Sequence, residues 1–199
     1  MQLVASLSGQ HVTALAFGPK ELGLQLATAG RDGMVRVYQA AQSSCSGEWV
    51  PQTVFQGSAS SPCTALCWRC YSQVLPPMLL LGTEEGAKVF YSDGRLMSWE
   101  LAASLGDEAV DDVAWTTTAS GHDEYIASAQ GSTAKKVATL EHRFPVCQVE
   151  WNSIGTWLAV ATDAGDVSLW RPNLGGEWSC QSKIEPQDQD VDYVMVEPR

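Results

Sequence analysis

Val12-Thr13-Ala14-Leu15-Ala16-Phe17 is the stretch that decides the fold, because its pattern recurs three times along the chain. Each recurrence is an apolar strand that ends in an aromatic residue, at 64–68, 110–115 and 146–151. The aromatic markers are 51, 47 and 36 residues apart, and they are Phe17, Trp68, Trp115 and Trp151. Such self-similarity indicates an array of one repeated structural unit.

Each marker is followed by a second short strand, rich in small or apolar residues, and helical periodicity is weak throughout. These strands lie at 25–29, 79–83, 125–129 and 157–161. The first and last units continue with a glycine-containing turn and an alternating strand, at 31–38 and 163–170. Four short strands that recur at roughly 40–45 residues are typical of a WD-repeat β-propeller blade. We therefore predict an all-β chain, an open and partial WD-repeat propeller of about four blades.

The repeats divide the chain. The propeller is predicted to span residues 1–184, with repeats at about 8–56, 57–104, 105–141 and 142–184, and an acidic C-terminal tail at 185–199. Gly47-Glu48-Trp49 and Gly176-Glu177-Trp178 each mark the start of an outer, fourth strand. Residues 1–7 resemble such an outer strand with no blade before it. The chain is therefore expected to be the C-terminal part of a larger propeller.

Two local features refine this prediction. The interval between Trp115 and Trp151 is too short for a full blade, and only one strand-like stretch, 135–140, lies where two are expected. The third blade is therefore predicted to lack a strand, through a deletion, a splice variant or a gene-model error. Asp93-Gly94 is predicted to form a tight hairpin turn between strands at 89–91 and 95–97, since both residues tolerate a positive φ.

Composition narrows the class of protein. The formal net charge of −11 disfavours binding to a nucleic-acid backbone. Apolar runs such as 78–81 are far shorter than the roughly 18 residues of a membrane span. Residues 1–9 lack the basic and apolar parts of a signal peptide. We expect a reducing compartment, in which the six cysteines remain free thiols.

Two parts of the chain carry a more specific resemblance. The run Phe17-Gly18-Pro19-Lys20-Glu21-Leu22-Gly23-Leu24-Gln25-Leu26-Ala27-Thr28, with its continuation at 32–40, resembles the Seh-type nucleoporins, WD-repeat homologues of the Sec-thirteen coat protein. Val149-Glu150-Trp151-Asn152, Val167-Ser168-Leu169-Trp170 and Trp178-Ser179-Cys180 are similar to that family's last repeat. The resemblance runs in order from residue 1 to about residue 184.

The resemblance implies a non-enzymatic scaffold that binds other proteins. Members of the family form six blades and leave the ring open, and a partner nucleoporin of the Y-shaped nuclear-pore subcomplex inserts a blade to complete it. Members also serve in a nutrient-signalling complex at the lysosomal or vacuolar membrane. The present chain would correspond to the third to sixth blades, and the two absent blades flank the groove for the inserted one. No direct nucleic acid, membrane insertion, small-molecule substrate or cofactor is expected, and the expected location is the nuclear pore.

WD blades often contain a buried polar network, and in the first unit His11, Thr28, Asp32 and Tyr38 occupy its positions. Such a set can look like a catalytic triad, but its role is structural, because it ties the turn to the sheet. In the last unit His142 takes the first position, while Asp163 comes one residue before the expected turn position. That second network is therefore predicted to be weak.

Other candidate sites are less convincing. Cys63, Cys67 and Cys70 suggest a metal by their spacing, but no further pair of ligands completes a tetrahedral zinc site nearby. His122-Asp123-Glu124 is expected to be a solvated loop tip. The chain lacks a phosphate-binding glycine loop and a hydrolase elbow, so no catalytic, cofactor or metal residue is predicted.

The alternatives left open are a vesicle-coat or generic WD-repeat adaptor, a hydrolase using His11 and Asp32, and a non-functional truncated isoform.

Overall fold

The computed structural model describes residues 11–41, 49–117, 124–129, 140, 142–173 and 176–186. Within these ranges the chain is all-β apart from one short 3₁₀ helix, Lys20–Leu22. The strands form four antiparallel sheets, and in each of them the strands lie side by side in chain order. This is the up-and-down arrangement of a propeller blade.

The first sheet consists of β1 (Val12–Phe17), β2 (Gln25–Gly30), β3 (Met34–Ala40) and β4 (Trp49–Gln56). The second consists of β5 (Cys63–Trp68), β6 (Met78–Thr83), β7 (Gly86–Ser92) and β8 (Trp99–Leu105). The third contains β9 (Asp112–Thr117) and β10 (Glu124–Ala129). The fourth consists of β11 (Val146–Trp151), β12 (Leu158–Thr162), β13 (Val167–Pro172) and β14 (Trp178–Ile184).

Three apolar cores hold the sheets face to face in the order of the chain. The core between the first two sheets joins Ala27 and Val35 to Leu66 and Trp68. The next core joins the second sheet to Val113 of the third sheet. The last core joins Ala114 of the third sheet to Val149 of the fourth and to its neighbours. The predicted open, partial propeller of about four blades is confirmed.

The register repeats from sheet to sheet, so equivalent residues can be compared directly. β1, β5 and β11 each contain a bulge after their first residue, between Val12 and Ala14, Cys63 and Ala65, and Val146 and Gln148. Because side chains alternate along a strand, each sheet has two distinct faces. We call the face turned toward the next sheet in the chain the forward face, and the opposite one the backward face.

Two strand-start predictions have different outcomes. The outer strands β4 and β14 begin at Trp49 and Trp178, as predicted from their shared motif. The predicted strand at 95–97 is wrong, because β8 begins only at Trp99. Leu96 lies in the preceding turn with φ 58° and is buried in the first core. Burial of the Leu96 side chain accounts for a connection between β7 and β8 that is longer than the predicted tight turn.

The third sheet has two strands among the described residues, two fewer than each of the other sheets. The strand predicted at 135–140 lies outside the described residues except for Leu140, which packs against the third core. The predicted outer strand at 1–7 and all but the first two residues of the tail also lie outside them. So do His122 and Asp123 of the predicted loop tip and the side chain of Glu124.

Candidate protein-docking faces

The four residues of the predicted polar network do not form it. His11 is exposed, with φ 46°, while Thr28 and Tyr38 are buried. The Asp32 carboxylate instead accepts hydrogen bonds from the Arg36 guanidinium and the Met34 backbone N–H. Arg36 thereby lowers the pKa of Asp32. No side-chain hydrogen bond joins any two of the four in the part of the chain that the structure describes.

The fourth sheet contains a polar cluster that the sequence analysis missed. Its carboxylate belongs to Asp166, which is buried, accepts a hydrogen bond from the Thr162 hydroxyl and lies 2.9 Å from the Lys183 ammonium. The hydroxyl, followed by the ammonium, lowers the pKa of Asp166. The His142 ring lies edge-on to Trp170 at 5.5 Å, and burial lowers the His142 pKa. Asp166 follows Asp163 by three residues and stands directly before β13. Its position next to the start of that strand is the sequence signal that could have identified Asp166 as the carboxylate of the cluster.

The cysteines at 63, 67 and 70 do not converge on a metal site. Cys63 belongs to the core before the second sheet, Cys67 packs against the core after it, and Cys70 is exposed beyond β5. Burial raises the pKa of the Cys63 thiol to about 11. Among the described residues no group of three potential ligands could hold a metal ion, and the five described cysteines are free thiols.

A polar contact joins the inner strand of each of the first three sheets to the next sheet or to the residues just before it. The Thr13 hydroxyl donates to the carbonyl of Cys63, and the Thr64 hydroxyl at the equivalent position donates to the carbonyl of Val110. Between the third and fourth sheets, the Asp112 carboxylate accepts the Val149 N–H at 2.8 Å. Burial raises the pKa of Asp112. These contacts lock the register between neighbouring blades.

Within the described ranges, no sheet lies against the backward face of the first sheet. Leu66 and Trp68 of the second sheet are 9% and 6% exposed, because the first sheet covers them. Leu15 and Phe17 occupy the same register positions in the first sheet, and they are 61% and 60% exposed. An aromatic pair recurs on this face of three sheets, Phe17–Trp49, Trp68–Trp99 and Trp151–Trp178, with ring centroids 5.6–6.1 Å apart. The first sheet thus presents a complete blade-packing face to solvent.

Among the described residues, no sheet covers the forward face of the fourth sheet either. Its eight residues, two from each strand, are Gln148, Glu150, Ala159, Ala161, Val167, Leu169, Ser182 and Ile184. All of them are half-buried or exposed. Phe55 and Leu105, at the position of Ile184 in the first and second sheets, pack against the neighbouring cores. Ile184 itself is 57% exposed. This face therefore shares its strand register, and an apolar residue at the outer position, with the faces that receive a further blade.

The edge of this face nearest the propeller axis carries polar groups. Cys147 occupies the position of Thr13, and its thiol donates to the carbonyl of Ala161, as the Thr13 hydroxyl does to the equivalent carbonyl of Ala29. Both Cys147 and Glu150 are exposed. The fourth sheet is therefore a candidate surface for protein contact. Separately, no helix in the described ranges has the length and apolar character that would let it cross a bilayer.

The chain is similar to known WD-repeat proteins. The family model for the WD domain, G-beta repeat, matches residues 1–39 and 134–171. Nucleoporin seh1 of Drosophila melanogaster is 30% identical over 218 aligned residues, which cover 96% of this chain and 61% of the fly protein. Nucleoporin SEH1 of Homo sapiens is 26% identical, covering 92% of this chain and 60% of the human protein.

Nucleoporin SEH1-A of Xenopus laevis is also 26% identical, over 87% of this chain and 57% of the frog protein. The chain thus spans about three fifths of the length of these relatives. Their similarity extends through nearly all of it and agrees with the sheet architecture and with the resemblance noted in the sequence. The chain thus has the sheet architecture of WD-repeat proteins and is similar in sequence to the Seh1 nucleoporins.

Proposed function

We propose that the chain is a non-enzymatic scaffold subunit of the nuclear pore, located at the nuclear envelope. The observation that carries the proposal is the uncovered forward face of the fourth sheet, because a stack of blades ending in such a face is built to bind protein. Similarity to the Seh1 nucleoporins supports the pore as the assembly in which it does so.

The proposal extends to the mode of binding. A partner nucleoporin of the Y-shaped subcomplex donates a blade, and this blade packs on the forward face as each sheet of the chain packs on the one before it. The partner's backbone would continue the contacts made by Thr13, Thr64 and Asp112, in this case with Cys147. The same face would serve in a nutrient-signalling complex at the lysosomal or vacuolar surface.

A hydrolase is the rival of another class, and the geometry disfavours it. A catalytic His–Asp pair needs a hydrogen bond that orients the imidazole. Asp32 is instead bonded to Arg36, and His11 stands exposed at the start of β1. The expected outcome is that the purified wild-type protein has no hydrolytic activity, and that the His11→Ala variant has none either.

Co-purification from cells tests the function. The tagged full chain should recover nucleoporins, and fluorescence of the tagged chain should outline the nuclear envelope. Recovery of vesicle-coat proteins without nucleoporins would instead favour the adaptor alternative. A chain that shows no cooperative thermal transition, alone or with the recovered nucleoporin, would be a non-functional truncated isoform.

A further inference from the structure

One residue on the forward face of the fourth sheet departs from the pattern of the other sheets. Glu150 occupies the inner-strand position held by Ala16, Cys67 and Ala114 in the first three sheets. Each of those residues packs in the core before the following sheet. Small side chains at this position allow the next blade to approach closely. Glu150 therefore places a charge where a docked blade would come closest.

The contact made at the equivalent position identifies what would meet Glu150. The Trp68 indole N–H of the second sheet donates to the carbonyl of Ala16 at 3.0 Å. A blade docked on the fourth sheet would bring the residue at its own marker position, the equivalent of Trp68, against Glu150. Glu150 makes no ion pair within the described ranges. A carboxylate buried there without a partner would be strongly unfavourable, and a cation on the incoming strand is the partner that both bonds to it and neutralises its charge.

The outer half of the face indicates a second requirement. Phe55, on the forward face of the first sheet, stacks on Trp99 at 5.4 Å and lies 5.1 Å from the Phe90 ring. Ile184 occupies the position of Phe55 and is exposed. The residues equivalent to Phe90 and Trp99 in an incoming blade would cover Ile184. Aromatic side chains suit this position, because they bury a large area against an aliphatic one.

A second copy of this chain does not fit the face. Its first sheet would bring Phe17 against Glu150, and Phe17 offers neither a positive charge nor a hydrogen-bond donor. Arg36, the cation of that backward face, is committed to Asp32 in an ion pair of 2.6 Å. The C-terminal tail carries Glu185, Asp188, Asp190, Asp192 and Glu197, so its charge has the same sign as that of Glu150. Charge complementarity thus favours a different protein.

From these contacts we infer that Glu150 selects the docked blade. The partner is a β-blade of another protein whose innermost strand carries a lysine or arginine opposite Glu150 and whose outer strands cover Ile184 with an aromatic side chain. This inference rests on the proposed function, because it specifies the chemistry of the partner at the same face. Glu150 acts as a determinant of specificity in an interface, where an ion pair discriminates between partners.

Charge reversal tests the inference. The probe is the nucleoporin that co-purifies with the wild-type chain, prepared as a separate protein, and its dissociation constant is measured by biolayer interferometry. Glu150→Lys should weaken binding at least about tenfold, and Glu150→Gln should weaken it less. The matched control is Glu108→Lys, the same charge change in the exposed loop before β9, which should stay within about twofold of wild type.

A second set of variants, in the probe, completes the design. Each lysine and arginine of its docking strand is changed to glutamate and assayed against Glu150→Lys, and one of these changes should restore binding. Circular dichroism melts of both Lys variants should match wild type, which shows that the fold is intact. If the wild-type chain binds no nucleoporin, the proposed function fails and the inference with it. If it binds, but Glu150→Lys behaves like Glu108→Lys, only the inference is overturned.

Discussion

At the scale of single residues, hydroxyl and carboxylate groups do what apolar packing alone cannot do, which is to fix one sheet against the next in a single register. Thr13 and Asp112 each bond to the backbone of the following sheet, and Thr64 bonds to the backbone just before it. A backbone group enclosed between sheets needs a partner, and losing it costs about 1–3 kcal/mol. These contacts therefore specify the stacking as well as stabilise it.

Thr64→Val keeps the shape of the side chain and removes the hydroxyl that bonds to the carbonyl of Val110. We expect the free energy of unfolding to fall by about 1–3 kcal/mol, measured by urea denaturation. Thr53→Val is the control, because the Thr53 hydroxyl makes no hydrogen bond in the described part of the chain. An equal loss in both variants would contradict the role assigned to the contact.

Asp112→Asn tests the pH dependence of the same kind of contact. Burial raises the pKa of Asp112, so the carboxyl stabilises the fold most when it is protonated in both states, below its ordinary pKa of about 3.9. That stabilisation is lost as the pH rises through the raised pKa. An asparagine keeps an oxygen that accepts the Val149 N–H but carries no charge. We expect the variant to melt higher than wild type at pH 7, with the difference shrinking toward pH 3.

The control for that experiment is the exposed neighbour Asp111, where the same change should leave the melting temperature nearly constant. Asp112→Ala should melt below both proteins, since it leaves the Val149 N–H without an acceptor. A melting-temperature difference between Asp112→Asn and wild type that does not vary with pH would argue against a raised pKa at Asp112.

The candidate site was only partly predictable at this scale. Spacing placed His11, Thr28, Asp32 and Tyr38 in one network, but the ion pair with Arg36, four residues away, competes for Asp32. In the fourth sheet the position rule pointed to position 164, one residue after Asp163, whereas the carboxylate that meets Thr162 belongs to Asp166. A spacing rule assigns positions along the chain and does not weigh competing partners. Glu150 lies within the marker motif Val149-Glu150-Trp151, and only comparison with the equivalent residues of the other sheets distinguishes it.

At the scale of the element, the sequence predicted most strands because the cues were local. Marker aromatics, small residues and glycine turns each specify a few neighbouring dihedral angles. Gly33 and Gly165 have φ of 71° and 85° in the predicted turns. The predicted hairpin after Asp93 is wrong because Leu96 is buried in the core between the first and second sheets, a long-range effect that local turn rules do not include.

Gly33→Ala should destabilise the first sheet by more than about 2 kcal/mol, since a left-handed alanine costs about 1–2 kcal/mol and its Cβ would also collide with a backbone atom. That Cβ would lie 2.2 Å from the Ser58 carbonyl oxygen. Gly165→Ala shares the positive φ but meets nothing closer than 3.6 Å. Urea midpoints of the two variants should differ, and equal midpoints would show that the collision is relieved at no cost.

At the scale of the whole molecule, the repeat predicted the number of blades and their order, but not which faces remain open. Whether a face is covered depends on how the sheets stack, and not on the sequence of the sheet that carries the face. Leu15 and Leu66 have the same register and the same chemistry, yet only Leu66 has a sheet in front of it. No pattern within either repeat distinguishes them, so the docking faces required a structure.

This pair supplies a matched test. Leu66→Ala should cost about 2–5 kcal/mol, the range for a buried leucine, whereas Leu15→Ala should stay within about 1 kcal/mol. Both values come from thermal or urea unfolding of the full chain. If Leu15→Ala were as costly as Leu66→Ala, the backward face of the first sheet would have to be covered in solution.

The stacking of sheets in chain order has a consequence for how the molecule comes apart and how it can change. Each blade packs only against its neighbours. The free energy of unfolding is therefore approximately a sum of contributions from the blades and from the interfaces between neighbouring blades, as in a linear array. Losing an end blade removes one interface, whereas disrupting the second sheet breaks two. Opening should therefore begin by fraying at the ends. The ends are also where a lineage can gain, lose or borrow a blade while the interior remains folded.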